Sequence, residues 1–179
     1  MGAIVIATAG SDIKTDICKL QGADYTINYR QDPAWPSTVN QIVKSIPNRK
    51  HAGVDVVFDP VGLVNSSLKC IAWNGRIVVV GFAGLKQGES ESITTNRVLL
   101  KNVSLMGLFW GAHAQFQPTA IHQAWQEVFR LFRESPYRPV IYPKRYIGLE
   151  NVKTAIHDLE TRSTYGKCVV DVADSLSKL

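Results

Sequence analysis

The sequence predicts an α/β fold in which a mostly parallel sheet carries helices on both faces. Three observations predict it. Short strand-like runs alternate with helical periodicities along the 179 residues. The runs are rich in Val, Ile and Phe, as strands buried on both faces are. Glycines also stand at the carboxyl ends of several runs, at Gly10, Gly62, Gly81 and Gly111, which is where such sheets bind ligands.

The first run, Ala3–Ala7, is too short for anything but a buried strand. It ends in Ala9-Gly10-Ser11, a tight turn with a helix N-cap residue, and Ile13, Ile17 and Leu20 then share one helical face before the stop at Gly22. Residues 24–29 alternate as a strand, and a polar loop from Gln31 to Pro36 follows. Val39, Ile42, Val43 and Ile46 mark a helix closed by Pro47 and Asn48. Val54–Phe58 is a continuous strand. It runs into Asp59-Pro60-Val61-Gly62, the start of a helix holding Leu68, Ile71 and Ala72. Asn74-Gly75 reads as a turn, and Arg76–Val80 is the most strand-like run of all. After a loop from Leu85 to Thr95, expected to be mobile, and a short amphipathic piece from Asn96 to Lys101, Val103–Trp110 reads as a further strand. Pro118 opens the longest helix, with Ile121, Ala124, Trp125, Val128, Leu131 and Phe132 inward and an end at Glu134-Ser135-Pro136. Pro139–Tyr142 is extended, and Leu149–Glu160 is a helix with Val152, Ala155, Ile156 and Leu159 inward. Gly166–Asp171 is a last strand, and residues 173–179 form a tail beyond a domain spanning 1–172.

Composition narrows the function. The net charge of +5 is scattered, with no stripe of interleaved arginines and aromatics, so no nucleic-acid partner is expected. No apolar stretch reaches membrane-spanning length, and no membrane partner is expected. Cys18, Cys70 and Cys168 are widely spaced and odd in number, which points to free thiols in a reducing intracellular compartment, cytoplasmic or organellar. No basic leader precedes the first strand, so no signal peptide is expected, and a chain that opens inside a strand reads as the back part of something longer. His51, His113, His122 and His157 show no metal-ligand spacing, and His113 alone lies near a strand end of interest. Asp55 and Asp59 read as structural rather than as paired catalytic carboxylates. No Gly-x-Ser-x-Gly elbow suggests a hydrolase.

In a dinucleotide-binding sheet an acid at the end of the second strand holds the ribose hydroxyls of NAD. Thr8 and Ala9 stand there instead, followed by the Ser11 hydroxyl, the open amides of a helix start and Lys14. That set suits a 2′-phosphate, with Asp12 as the contrary residue.

The residues also carry a family resemblance. The series is Gly-Ala-x-Val-Ile-Ala-x-Ala-Gly-Ser-x-x-Lys, Gly-Ala-Asp-x-x-Ile-Asn-Tyr-Arg, Val-Asp-Val-Val-Phe-Asp-x-Val-Gly, Gly-Arg-Ile-Val-Val-Val-Gly-Phe-Ala-Gly and Gly-Lys-x-Val. Together these resemble the zinc-free quinone oxidoreductases of the medium-chain dehydrogenase/reductase superfamily over residues 1–172. The stretches 73–84 and 99–111 look most like the quinone oxidoreductase-like protein 2 subgroup. The resemblance implies a Rossmann-like fold whose first strand, glycine-rich pyrophosphate loop and catalytic lobe do not occur in this sequence. It implies NADPH as cofactor, with Ser11, Lys14 and Tyr29 on the adenosine 2′-phosphate and Arg30 beside them. Gly81, Phe82 and Ala83 would lie against the nicotinamide, Phe109 and Trp110 at the next strand end, and Lys167 at a carboxyl-terminal contact. No side chain matches a catalytic acid or base, no metal is implied, and the substrate is a small quinone or enone. The resemblance also implies a homodimer through the edge Val103–Phe109. The strands Ala3–Ala7 and Val54–Phe58 would lack the neighbour between them, and would either close up or face a gap filled by another polypeptide. The chain by itself is expected not to turn over substrate. The other function class is a non-catalytic Rossmann-like module for structural or regulatory self-association.

Overall fold

The computed structural model describes residues 2–49, 51–86 and 88–172, which fall into two compact units, Met1–Ala124 and Trp125–Leu179. The expected tail at 173–179 lies outside the described residues. Among the described residues every strand pairing is parallel.

In the first unit, β1 (Ile6–Ala9) turns at Gly10 and Ser11 into α1 (Asp12–Leu20), which returns to β2 (Tyr25–Asn28). Ile6 lies opposite Tyr25 and Ala9 opposite Asn28. The ladder starts later than the apolar run suggests because the Val5 N–H donates to the Asp24 carboxylate (2.7 Å) rather than to a backbone carbonyl. Gly22 closes α1 at φ +98°. The helix buries Thr15, however, and leaves Ile13 and Leu20 exposed. Helical periodicity identifies the apolar stripe of α1, but of its three residues only Ile17 is partly covered among the described residues.

α2 (Trp35–Ser45) buries Val39 and Val43, as expected, against Ile27 and Cys70. A three-stranded sheet follows, in the order β3 (Val54–Asp59), β4 (Ile71–Val79), β5 (Ser104–Gly107). α3 (Val64–Cys70) is shorter than expected, because Ile71 and Ala72 already belong to β4. The Asn74-Gly75 turn becomes a bulge inside that strand: the register steps from Val54–Ile71 to Val56–Arg76, and Asn74 takes φ 62°. Gly75 is required there, since a β-carbon would lie 2.4 Å from the Ile71 side chain. Val64, Leu68, Ile71, Ile77 and Val103 form the core behind this sheet. Burying each such side chain contributes about 1.5–3 kcal/mol. The short helix α4 (Thr95–Leu100) leads to Lys101, whose Nζ donates to the carbonyls of Leu68 (2.9 Å) and Ile71 (3.0 Å) at the end of α3. β5 stops at Gly107, short of the expected Trp110, because the chain tightens into a 3₁₀ turn, Trp110–Ala112, and the one-turn α5 (His113–Phe116).

β1 and β3 do not close up. Among the described residues β1 pairs with β2 alone and β3 with β4 alone.

α6 (Pro118–Glu134) has the predicted limits and spans the boundary between the units. In the second unit a parallel bridge joins Ile141 to Lys167, and β6 (Tyr146–Ile147), absent from the sequence reading, pairs with β7 (Val170–Asp171). α7 (Val152–Glu160) buries Ala155 but leaves Ile156 and Leu159 exposed, and Trp125 of α6 is likewise exposed. The other five residues predicted inward on α6, Ile121, Ala124, Val128, Leu131 and Phe132, are partly buried, whereas half of the predicted face of α7 is uncovered. Tyr146 anchors this unit, with its hydroxyl donating to Asp158 Oδ2 (2.7 Å).

Candidate functional site

Two clusters of predicted residues stand at strand ends of the first unit. At the ends of β1 and β2, Ser11 is the N-cap of α1. Its carbonyl accepts the amides of Lys14 (3.1 Å) and Thr15 (3.0 Å), while its hydroxyl makes no capping bond. The first N–H groups of a helix have no acceptor within it, so this turn offers donors. Lys14 is half-buried in the first turn of α1. Tyr29 and Arg30 follow β2 and come against Gly10: a β-carbon there would lie 2.8 Å from Tyr29 Oη and 3.3 Å from Arg30 Nε. Gly10 thus lets a phenol and a guanidinium close on the backbone where the helix begins.

Asp12, the contrary residue, is engaged. Asn28 Nδ2 donates to its Oδ1 and Gln31 Nε2 to its Oδ2, both at 2.8 Å. The Asn28 amide, and after it that of Gln31, holds the Asp12 carboxyl below its ordinary value. Asn28 also accepts the Arg30 amide (3.1 Å). One side chain therefore fixes both the acid and the turn bearing Tyr29 and Arg30. Sequence reading missed Asn28 and Gln31. The available signal was a pair of amide side chains around the strand end, 16 and 19 residues from the acid.

The second cluster rests on Asp59. This buried carboxylate accepts three backbone amides, from Val61 (2.8 Å), Gly62 (2.9 Å) and Leu63 (2.7 Å). The loop after β4 hangs on the same turn, with Ala83 N donating to Pro60 O (3.0 Å) and Gly84 N to Val61 O (2.8 Å). Gly81, Phe82 and Ala83 are held in this way. Val79 lies opposite Gly107 in the β4–β5 register and Leu108 N donates to Val79 O, so the chains leave β4 and β5 side by side, and Phe82, Phe109 and Trp110 are all exposed. His113 Nδ1 is 3.1 Å from Phe109 O, and its ring lies 5.3 Å from that of Trp110. Asp55, by contrast, forms a bidentate pair with Arg49 (2.6 and 2.7 Å), a structural role like that of Asp59.

Lys167 belongs to the second unit, where its backbone bonds to Val140 O (2.8 Å) and Tyr142 N (2.9 Å). Among the described residues no three His, Cys, Asp or Glu side chains gather as a metal site, and no helix is long and apolar enough to cross a membrane.

The family model described as zinc-binding dehydrogenase matches residues 1–131. Quinone oxidoreductase-like protein 2 of Bos taurus is 35% identical over 170 residues, covering 94% of this chain and 45% of that protein. Prostaglandin reductase-3 of Mus musculus is 28% identical, over 97% of this chain and 46% of that one. A Sinorhizobium meliloti protein described as an alcohol dehydrogenase superposes with a TM-score of 0.72 at 30% identity, covering 95% of this chain and 44% of that chain. The chain thus spans about half the length of the relatives it matches.

Proposed function

Because the chain belongs to the zinc-binding dehydrogenase family, within the medium-chain dehydrogenase/reductase superfamily, we propose that it is the cofactor-binding portion of an NADPH-dependent oxidoreductase acting on a quinone or enone. The supporting observation is the end of β1 and β2. It carries no free acid, sets the Ser11 hydroxyl and the Tyr29 and Arg30 side chains around Gly10, and ties Asp12 to two amides. A site of this kind favours a doubly charged phosphate monoester over a neutral ribose hydroxyl, since bonds between charged groups are the stronger ones.

The residues present fit the cofactor, whose reduced nicotinamide supplies hydride when bound. Ser11, Lys14, Tyr29 and Arg30 would hold its 2′-phosphate. Gly81, Phe82 and Ala83, with Phe109 and Trp110, would hold the nicotinamide end and exclude water from it, and Lys167 is a further contact in this reading. The chain contributes binding and orientation rather than an acid or base. It carries no Gly-x-Gly-x-x-Gly loop for the pyrophosphate, so the 179 residues alone bind the adenosine half and do not turn over substrate. The three free cysteines suit a reducing intracellular compartment.

We also propose a homodimer through residues Val103–Phe109. β5 is the outer strand of its sheet, exposed along its length and free of proline and charge, so it lacks the usual protection against pairing with a second copy.

Fluorescence titration tests the cofactor reading. NADPH is expected to bind at least about tenfold more tightly than NADH, the difference one charge-assisted contact makes, and equal affinities contradict it. Light scattering tests the dimer. Leu105→Lys is expected to give a monomer, and a monomeric unmutated chain or a dimer indifferent to the lysine contradicts the proposal.

A further inference from the structure

We propose that Nε2 of His113 is a specificity-determining acceptor for a hydroxyl carried on an aromatic ring, a phenol or hydroquinone, held at the carboxyl end of β5. Of the four histidines, His113 is the one near that strand end, and the local geometry leaves it one polar atom to use. Phe109 O lies 3.1 Å from its Nδ1. A carbonyl oxygen only accepts, so Nδ1 carries the proton of the neutral ring and Nε2 keeps a lone pair. Among the described residues Nε2 makes no hydrogen bond.

The imidazole is held in place by the turn it caps. Phe109 O also accepts Ala112 N (3.2 Å), so the ring is tied to the carbonyl that closes the 3₁₀ turn. The indole of Trp110 lies 5.3 Å away, tilted by 31°. Phe109 in turn rests on Gly111, where a β-carbon would be 3.3 Å from its ring. The turn therefore presents two aromatic rings, Phe109 78% and Trp110 46% exposed, beside a half-buried imidazole. Aromatic faces hold a planar ring by stacking, and one acceptor among them orients it.

The lone pair decides the chemical class. A ring hydroxyl donates to it, whereas a quinone carbonyl or an ether oxygen, being acceptors alone, meets it lone pair to lone pair. His113 thus tells the reduced ring from the oxidised one, and favours substrates that carry a hydroxyl in addition to the reacting carbonyl. Its part is binding and orientation, with no proton transferred. The inference rests on the cofactor reading solely for the assignment of this strand end to the substrate.

The test uses the full 179-residue chain and two probes that differ in one donor, 2-naphthol and 2-methoxynaphthalene. Both are titrated by nitrogen-15 NMR in mildly alkaline buffer, where the histidine resonances show the neutral ring. The naphthol is expected to bind saturably and about threefold or more tightly than the ether, the difference one neutral hydrogen bond makes, with the Nε2 resonance of His113 moving. His113→Asn keeps a side-chain amide donor for Phe109 O but removes Nε2, so it should abolish the preference at an unchanged urea midpoint. Gln115→Ala, which removes the other side-chain acceptor between Phe109 and Phe116, should retain it. Equal affinities for the two probes, no saturable shift at Nε2, or a preference that survives in His113→Asn would overturn the proposal. Adenosine carrying 2′- and 5′-phosphates, titrated into the same sample, separates the two readings: its failure to bind counts against the cofactor site and leaves the result at His113 standing.

Discussion

At the ends of β1 and β2 the groups within reach of a ligand are side chains, those of Ser11, Tyr29 and Arg30 around Gly10, and their acidic neighbour Asp12 is held by two side-chain amides. At the ends of β3 and β4 the loops are instead hung on backbone hydrogen bonds that converge on the buried Asp59. In the proposed reading the first end carries discrimination between cofactors, which substitution would change without unfolding the chain. The second carries the fold itself, and the ligand surface it offers is a by-product of how the strands are joined.

The sharpest break of that contrast is Asp59→Ala. Losing a carboxylate that satisfies three amides should destabilise the chain by about 3 kcal/mol, read as a lower urea midpoint. A loss below about 1 kcal/mol would mean that the loop is held by something else. Lys14→Glu is the counterpart at the other end. It should cut the preference for NADPH over NADH by about tenfold or more, about 1.5–3 kcal/mol, with an unchanged urea midpoint. An unaltered preference would remove Lys14 from the site.

How these two ends could be read from sequence differs for the same physical reason. Ser11, Lys14 and the lack of an acid at Thr8 and Ala9 are features of local order, and they were visible in the strand-turn-helix spacing. The tie from Asn28 and Gln31 to Asp12 spans 16 and 19 residues and depends on the β1–β2 register, which no local pattern encodes. α2 starts at Trp35, inside the stretch from Gln31 to Pro36 read as a loop, whereas the limits of α6 followed from proline and apolar spacing. The exposed faces of α1 and α7 did not, because periodicity shows which face is apolar and not whether a partner covers it. Asn74-Gly75 had turn chemistry and made a bulge: Asn74 takes the left-handed conformation that such a pair favours, and regular pairing resumes at Arg76.

Gly10→Ala makes a finer cut. The added β-carbon meets Tyr29 Oη at 2.8 Å, so the phenol must move off the turn. NADPH affinity should fall by about tenfold, roughly 1.4 kcal/mol, with little change in stability. Retained affinity would place Tyr29 outside the site. The smallest effect concerns pH. The Asp12 carboxyl is held below its ordinary value by Asn28 and Gln31. Its contribution to stability is therefore present above the unfolded-state value near 3.8, and is lost as pH falls through the lower folded value. Asn28→Ala should bring this loss to higher pH and make NADPH binding weaker by about two- to threefold as Asp12 is released. An acid unfolding profile identical to that of the unmutated chain would contradict it.

The most direct measurement compares two small ligands on the 179-residue chain itself, adenosine carrying phosphates at both the 2′ and 5′ positions and adenosine carrying the 5′-phosphate alone, by calorimetric titration at low salt. The strand end described here predicts that the 2′-phosphate improves affinity by at least about tenfold, that Arg30→Ala removes most of this gain, and that raised salt weakens it. Equal affinities for the two ligands, with the chain shown to be folded, would contradict a 2′-phosphate site at Ser11, Lys14, Tyr29 and Arg30.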